Sequence, residues 1–189
     1  MRGAASVHRL LLLALLAAAE PVAAEVRWRD IDRQPAAWYA TGEARAIAGS
    51  VRLYQTEAGG WPKNRDMTVP PSAEFLAETA YDHRAPTIDN GATYTQIRFL
   101  AAVASHVGPD LELNRAAAVR GIQYLLDAQY AHGGWPQYFP LRPGYYTHIT
   151  FNDDAMVGVL ELLRDVAAGR EPFAWAEPAL RARAAAAVG

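Results

Sequence analysis

The sequence predicts an all-α fold built from repeated α/α hairpins. Strand patterns are nearly absent, and apolar residues recur at intervals of three and four in several segments. In addition, the motif Gln-x-x-x-Gly-Gly-Trp-Pro occurs at 55–62 and again at 129–136. Because repeated helix pairs bury their faces only against neighbouring pairs, such hairpins form either a solenoid or a closed ring.

The first predicted hairpin consists of helices at 38–54 and 90–106. The Gly-Gly-Trp-Pro turn at 59–62 ends its first helix, because Gly and Pro interrupt helices. The segment 65–86 has no helical or strand periodicity and is predicted to be a long loop. Long ordered loops in compact domains are often functional.

The second predicted hairpin repeats this order with helices at 113–129 and 153–168. A second Gly-Gly-Trp-Pro turn and a Tyr-rich loop at 137–149 separate them. Pro178 then opens a further helical stretch, as proline suits a first helical turn. Since this helix is short where the sequence stops at Gly189, we expect a truncated chain.

The residues 1–24 are typical of a secretory signal peptide, with Arg2 and Arg9, a Leu/Ala run and a small-residue cleavage site. We therefore expect a mature chain from Glu25, located outside the cell or in the periplasm. The apolar run is too short to span a bilayer, so no membrane association is expected. The chain of 189 residues has no Cys and a formal net charge of −2, which excludes disulfides and gives no basic stripe for nucleic acid.

Two polar, acidic segments, at 87–92 and 150–155, lie where predicted helices begin. Asp89 alone would be interpreted as a helix N-cap, but the repetition favours a functional site. Both loops of the repeat emerge at the same end of the hairpins. That end gathers the polar and aromatic candidates Trp61, Lys63, Asn64, Asp89, Asn90, Trp135, Gln137, Tyr138, Asn152, Asp153 and Asp154.

These residue types suit a sugar polymer. Aromatic rings pack on pyranose faces, while amides and carboxylates fix the orientation of the sugar. Trp61 and Trp135 are predicted either to present such rings or to pack in the core. Lys63, Arg98 and Arg142 would suit an anionic sugar, although each could equally be a solvated surface charge.

The carboxylates Asp89, Asp153 and Asp154 are hard oxygen ligands of the kind that Ca²⁺ takes. Their spacing is not that of an EF-hand loop. The His residues lack the spacing of a zinc site, and there is no G-x-S-x-G motif and no P-loop. By residue type these carboxylates suit calcium, but no spacing in the sequence identifies a calcium site.

Four motifs together resemble a pectate lyase of polysaccharide lyase family 10. They are Gly-Gly-Trp-Pro-Lys-Asn at 59–64, Thr-Ile-Asp-Asn-Gly-Ala-Thr-Tyr-Thr-Gln-Ile at 87–97, Gly-Gly-Trp-Pro-Gln-Tyr-Phe-Pro at 133–140 and His-Ile-Thr-Phe-Asn-Asp-Asp-Ala-Met at 148–156. The resemblance implies an incomplete α/α toroid, Ca²⁺ dependence and β-elimination of polygalacturonate. It also implies that 25–189 is the N-terminal part of a catalytic domain that is monomeric when complete.

The resemblance assigns roles to the candidate residues. Asp89 is expected to hold the catalytic Ca²⁺, with Asp153 or Asp154 sharing it, and an arginine base is expected beyond Gly189. The expected substrate-binding residues are Trp61, Lys63, Asn64, Asn90, Arg98, Trp135, Gln137 and Tyr138. Two other hypotheses remain: a glycoside hydrolase on a similar helical ring, with two carboxylates as acid and base, and a non-catalytic pectin-binding protein.

Overall fold

The structure is a computed structural model that describes residues 26–78 and 83–189. The predicted signal peptide at 1–24 and a small part of the first loop lie outside the described residues. The α-helices are α1 (Gly42–Tyr54), α2 (Ala73–Ala77), α3 (Tyr94–Val103), α4 (Leu111–Ala128), α5 (Ala155–Ala168) and α6 (Pro178–Val188). Short 3₁₀ turns occur at Trp28–Arg33, Ala36–Ala40, Asp89–Gly91, Tyr145–Thr147 and Asn152–Asp154.

The predicted all-α class is confirmed. Within the described ranges no strand forms, and only two isolated bridges link the loops. No helix of this part of the chain is both long and apolar enough to cross a bilayer. The element boundaries differ from the prediction, because the helix expected from residue 38 is interrupted at Thr41. There the Thr41 hydroxyl accepts a hydrogen bond from Ala44 N at 3.1 Å and caps α1.

The predicted loop at 65–86 contains the short helix α2. Ser72 caps this helix by accepting a hydrogen bond from Phe75 N at 3.2 Å. Phe75 is buried and packs against Tyr54 at the end of α1, with ring centroids 5.2 Å apart. The sequence of this segment has no periodicity and therefore gave no indication of the short helix α2.

Helix α3 is central, because it packs against α1, α4 and α5. Its apolar stripe, which includes Ile97 and Leu100, is fully buried. Close approach to α4 requires Gly121, where an added Cβ would lie 2.6 Å from Ile97 Cγ1 and 2.7 Å from Trp61 Cζ3. Helix α5 packs mainly against α6. The main helix pairs are therefore α3 with α4 and α5 with α6, and the predicted pairing of the helices at 113–129 and 153–168 is not among the substantial helix contacts.

The repeated Trp residues close the C-terminal ends of helices. Trp61 and Trp135 are 0% and 1% exposed. The indole of Trp61 donates to Val51 O at 2.8 Å, and that of Trp135 donates to Leu125 O at 2.6 Å. Both acceptors belong to the last four carbonyls of their helices, which have no partner within the helix. Each Trp thus satisfies a buried carbonyl that would otherwise be unpaired.

The same two residues fix where the acidic segments begin. Trp61 O accepts a hydrogen bond from Thr87 N at 3.1 Å, and Trp135 O accepts one from Thr150 N at 3.1 Å. The repeat in the sequence is therefore a repeat of hydrogen bonds, and it positions both acidic segments at one end of the hairpins.

Candidate active site

The two acidic segments form short turns that contact each other. In the first, Asn90 has φ 51° and ψ 38°; in the second, Asp153 has φ 47° and ψ 40°. These left-handed conformations are uncommon outside Gly, and Asn and Asp tolerate them best. Asn64 and Asp154 are also left-handed, with φ 58° and 57°. Unusual backbone conformations of this kind concentrate at functional sites.

Asp89 lies at the base of this region and is 3% exposed. Its Oδ2 accepts hydrogen bonds from Gln137 Nε2 at 2.6 Å and from the ammonium of Lys63. Its Oδ1 is buried and has no hydrogen-bond partner among the residues that the structure describes. The N-cap interpretation is wrong, because the residue that precedes α3 is Thr93 and Asp89 caps no helix.

Lys63 carries its charge beside this carboxylate. Partial burial opposes the charge, but the hydrogen bond to Asp89 and the nearby Tyr138 outweigh it and raise the pKa of Lys63 above its ordinary value. Its Nζ also lies 6.0 Å from the centroid of the Tyr138 ring. An ion pair between Lys63 and the buried carboxylate of Asp89 therefore forms the floor of the site.

Thr93 sets the geometry between the acidic turn and α3. It is fully buried and has φ 70° and ψ −58°, and Tyr94 N donates to Ala92 O at 2.9 Å around it. This is a γ-turn with positive φ, a rare and strained conformation. The Thr93 hydroxyl offsets the strain by accepting from Trp61 N at 3.0 Å and donating to Thr87 O at 2.8 Å.

Tyr94 lies between the two acidic turns and was not among the predicted site residues. Its ring packs directly on Gly158 of α5, where an added Cβ would lie 2.5 Å away. Burial, and then the proximity of Asp154 and Asp89, raise its pKa. The hydroxyl therefore stays protonated and can donate a hydrogen bond near the carboxylates.

Two cavities meet at the segment 63–65, which lines both. The first, of about 710 Å³, lies between this segment, the acidic turn and the N-terminal 3₁₀ turn at 27–33. The second, of about 600 Å³, lies between it and the Tyr-rich loop. Five of the residues that line the first cavity are basic and two are acidic, whereas the whole chain has a formal net charge of −2. Positive charge is thus concentrated at this end of the molecule.

The Tyr-rich loop forms a wall of the second cavity. The Arg142 guanidinium lies 5.3 Å from the Tyr138 ring centroid and 4.6 Å from that of Tyr146. An antiparallel bridge between Thr87 and Tyr138 holds the loop beside the acidic turn. Thr87 Oγ1 also donates to Gln137 O at 2.5 Å. These contacts bring aromatic, basic and acidic side chains to one surface.

The pectic acid lyase family model matches residues 55–189. Two of the solved structures that are similar to the chain are of a family 10 polysaccharide lyase from Cellvibrio cellulosa. An aspartate-to-alanine mutant in complex with trigalacturonic acid is 34% identical, with a TM-score of 0.66 over 84% of this chain and 49% of that one. The other is 35% identical, with a TM-score of 0.63 over 83% and 48%. A search of curated proteins found no match.

The chain belongs to the pectic acid lyase family. The resemblance to family 10 polysaccharide lyases and the α/α toroid class are confirmed. The chain spans about half the length of the solved relatives that it matches.

For this family member the structure brings together most of the predicted site residues. Around the first acidic turn, Lys63, Asn64 and Gln137 join Asp89 and Asn90, and Asn90 Nδ2 donates to Asn64 Oδ1 at 3.0 Å. Tyr138 borders the second cavity beside them. The exposed Asp153 and Asp154 belong to the neighbouring turn.

Three predicted residues lie elsewhere. The Arg98 guanidinium donates to Asp165 on α5 at 2.8 Å and does not join the site. Trp61 and Trp135 are buried, so they support the loops from below and present no ring to a sugar. The motif shows that a Trp is needed at each position. It does not show whether that Trp packs in the core or stacks on a sugar, because both roles use the same residue type.

The residues fit a calcium ion in their chemistry, since an unpartnered buried oxygen of Asp89 lies in a turn that contacts the turn of Asp153 and Asp154. An unsatisfied buried acceptor calls for a partner beyond the described residues, such as a water or an ion. In the described part of the chain, however, no three acidic or His side chains converge closely enough to hold a metal alone. Amide or backbone oxygens, water, substrate or groups outside the described residues would therefore have to supply the further ligands.

Proposed function

We propose that this chain binds polygalacturonate and takes part in its calcium-assisted β-elimination, the reaction of a pectate lyase. The observation that carries the proposal is Asp89, a buried carboxylate whose Oδ1 has no partner among the described residues and whose ion-pair partner Lys63 lines both cavities. The basic lining of the first cavity supports an anionic polymer as substrate. The trigalacturonic acid bound to the Cellvibrio relative supports the choice of sugar.

Each site residue has a stated part in this proposal. Asp89 would hold Ca²⁺ through Oδ1, with Asp153 or Asp154 sharing the ion. Ca²⁺, when bound, supplies positive charge where negative charge develops on the uronate carboxylate. Gln137 and Lys63 hold the carboxylate of Asp89 in one orientation through hydrogen bonds to Oδ2.

The remaining residues bind and orient the sugar. The amides of Asn64 and Asn90 border the first cavity and can hydrogen-bond to hydroxyls. Tyr138 and Arg142 border the second, where a guanidinium can pair with a uronate carboxylate. The base that removes the proton would be the arginine that the resemblance implies. We do not assign this role to any of the described residues.

The test compares products. The chain, and any longer product of the same reading frame, is incubated with polygalacturonate with and without Ca²⁺, and ultraviolet absorbance and reducing ends are followed. The proposal expects a calcium-dependent unsaturated product. Reducing ends without ultraviolet absorbance would indicate a hydrolase, and binding without either product would indicate a pectin-binding protein.

We further propose that the protein acts outside the cytoplasm. The support is the charged, then apolar, then small-residue pattern at 1–24. Sequencing the N-terminus of the exported protein tests this, with Glu25 as the expected first residue. Recovery of protein that retains Met1 would contradict it.

A further inference from the structure

The first cavity extends beyond the acidic turn towards the N-terminal segment. Its far wall is the 3₁₀ turn Trp28–Arg33, which lies distant in sequence from the motif residues. The half-buried Trp28 borders it and packs edge-on against Phe99, with ring centroids 6.1 Å apart. Helix α3 therefore fixes the position of an aromatic wall in this cavity.

The same cavity has cationic groups at its rim. The exposed Arg33 lines it and has no carboxylate within ion-pair distance among the residues that the structure describes. Arg27 lines it too, although it pairs with Asp30 at 2.9 Å. A guanidinium without an acidic partner beside a cavity is available for an anionic ligand.

Gln96 adds an unpaired acceptor. It lines the cavity and is 2% exposed, and its Nε2 donates a hydrogen bond to Met67 Sδ at 3.5 Å. Its Oε1 has no partner within the described ranges. A buried amide oxygen without a donor is costly, and a sugar hydroxyl or a water that enters the cavity would satisfy it.

An aromatic wall, a free guanidinium and an unpaired acceptor together match one acidic sugar: a ring to pack, a carboxylate and a hydroxyl donor. Resting on the proposed function, we infer that the far end of this cavity, opposite the acidic turn that lines its near end, is a further uronate-binding subsite that holds one end of a longer oligogalacturonate. Arg33 binds the carboxylate, Gln96 accepts from a hydroxyl, and Trp28 packs against the pyranose. The subsite makes affinity increase with the length of the oligomer.

The experiment measures binding and needs no turnover. Oligogalacturonates of increasing length are titrated into the chain in the presence of a chelator, by calorimetry. For the wild type, the affinity rises from the trimer to longer oligomers. Arg33→Gln and Gln96→Leu each lower the affinity for long oligomers about 3- to 5-fold and leave trimer binding unchanged.

Arg164→Gln is the control, because Arg164 is an exposed arginine on α5 that lines neither cavity. It changes the net charge equally and should keep the full gain with length. Thermal melts check folding; Gln96→Leu removes an unsatisfied buried group and should not lower the melting temperature.

The outcomes separate the two proposals. If all oligomers bind with equal affinity, or if Arg164→Gln lowers the gain as much as Arg33→Gln does, the subsite is overturned and the proposed function stands. If the wild type binds no oligogalacturonate of any length either with the chelator or with added Ca²⁺, the proposed function fails and the subsite fails with it.

Discussion

Trp135→Phe tests whether the repeated Trp closes a helix end from within the core. The substitution keeps most of the apolar volume but removes the indole N–H that donates to Leu125 O at 2.6 Å. That carbonyl is then buried and unpaired, which costs about 1–3 kcal/mol, and the smaller ring leaves a cavity. We expect a total loss of about 2–4 kcal/mol for Phe and about 3–5 kcal/mol for Ala.

Trp175→Phe is the matched control. The Trp175 Nε1 is also buried, but it has no hydrogen-bond partner in the described part of the chain, so its removal breaks no hydrogen bond. Urea unfolding followed by circular dichroism gives both free energies of unfolding, with unchanged m-values as the check for comparable transitions. Equal costs for the two Phe variants, or a Trp135→Ala variant as stable as the wild type, would refute the reasoning.

Three further predictions concern other parts of the fold and site. Thr93→Val removes the hydroxyl that pairs with Trp61 N and should lower the free energy of unfolding in urea by about 2–4 kcal/mol. A loss below about 0.5 kcal/mol, the size of an ordinary surface effect, would contradict this prediction. Lys63→Met leaves the charge of Asp89 without its ion-pair partner; the Lys63 side chain is 29% exposed and that of Asp89 is 4% exposed. The free energy of unfolding should therefore fall by about 3 kcal/mol, and an unchanged melting temperature would contradict this prediction. Burial raises the pKa of Tyr124 above its ordinary value of 10.0, so its contribution to stability is complete below pH 10 and falls at higher pH, and Tyr124→Phe should lessen that fall in alkaline melts.

The helices and their order could be predicted because their apolar stripes are local in sequence. Ile97 and Leu100 recur at helical spacing, and both are buried as expected. The start of α3 could not be predicted, because it depends on the positive φ of Thr93. A β-branched residue gives no warning of that conformation, and its stabilising partners Trp61 and Thr87 are distant in sequence.

The site was predictable where a motif carries it and unpredictable where tertiary packing does. Asp89 and Lys63 come from neighbouring motifs and meet as the repeat suggests. Arg98 binds Asp165, which lies 67 residues away in the sequence, and no local pattern predicts that pair. The wall formed by Trp28 and Arg33 was likewise missed, since only the fold brings the N-terminal segment beside the first loop.

The central claim is that Asp89 anchors a calcium-dependent site for polygalacturonate. Titration of trigalacturonate into the wild type and into Asp89→Asn, each with Ca²⁺ and with a chelator, tests it most directly. We expect Ca²⁺ to tighten wild-type binding about 10-fold or more, as a bridging cation requires, and to leave Asp89→Asn unchanged, while circular dichroism shows that the variant is folded. An equal gain from Ca²⁺ in both proteins, or no gain in the wild type, would contradict the claim.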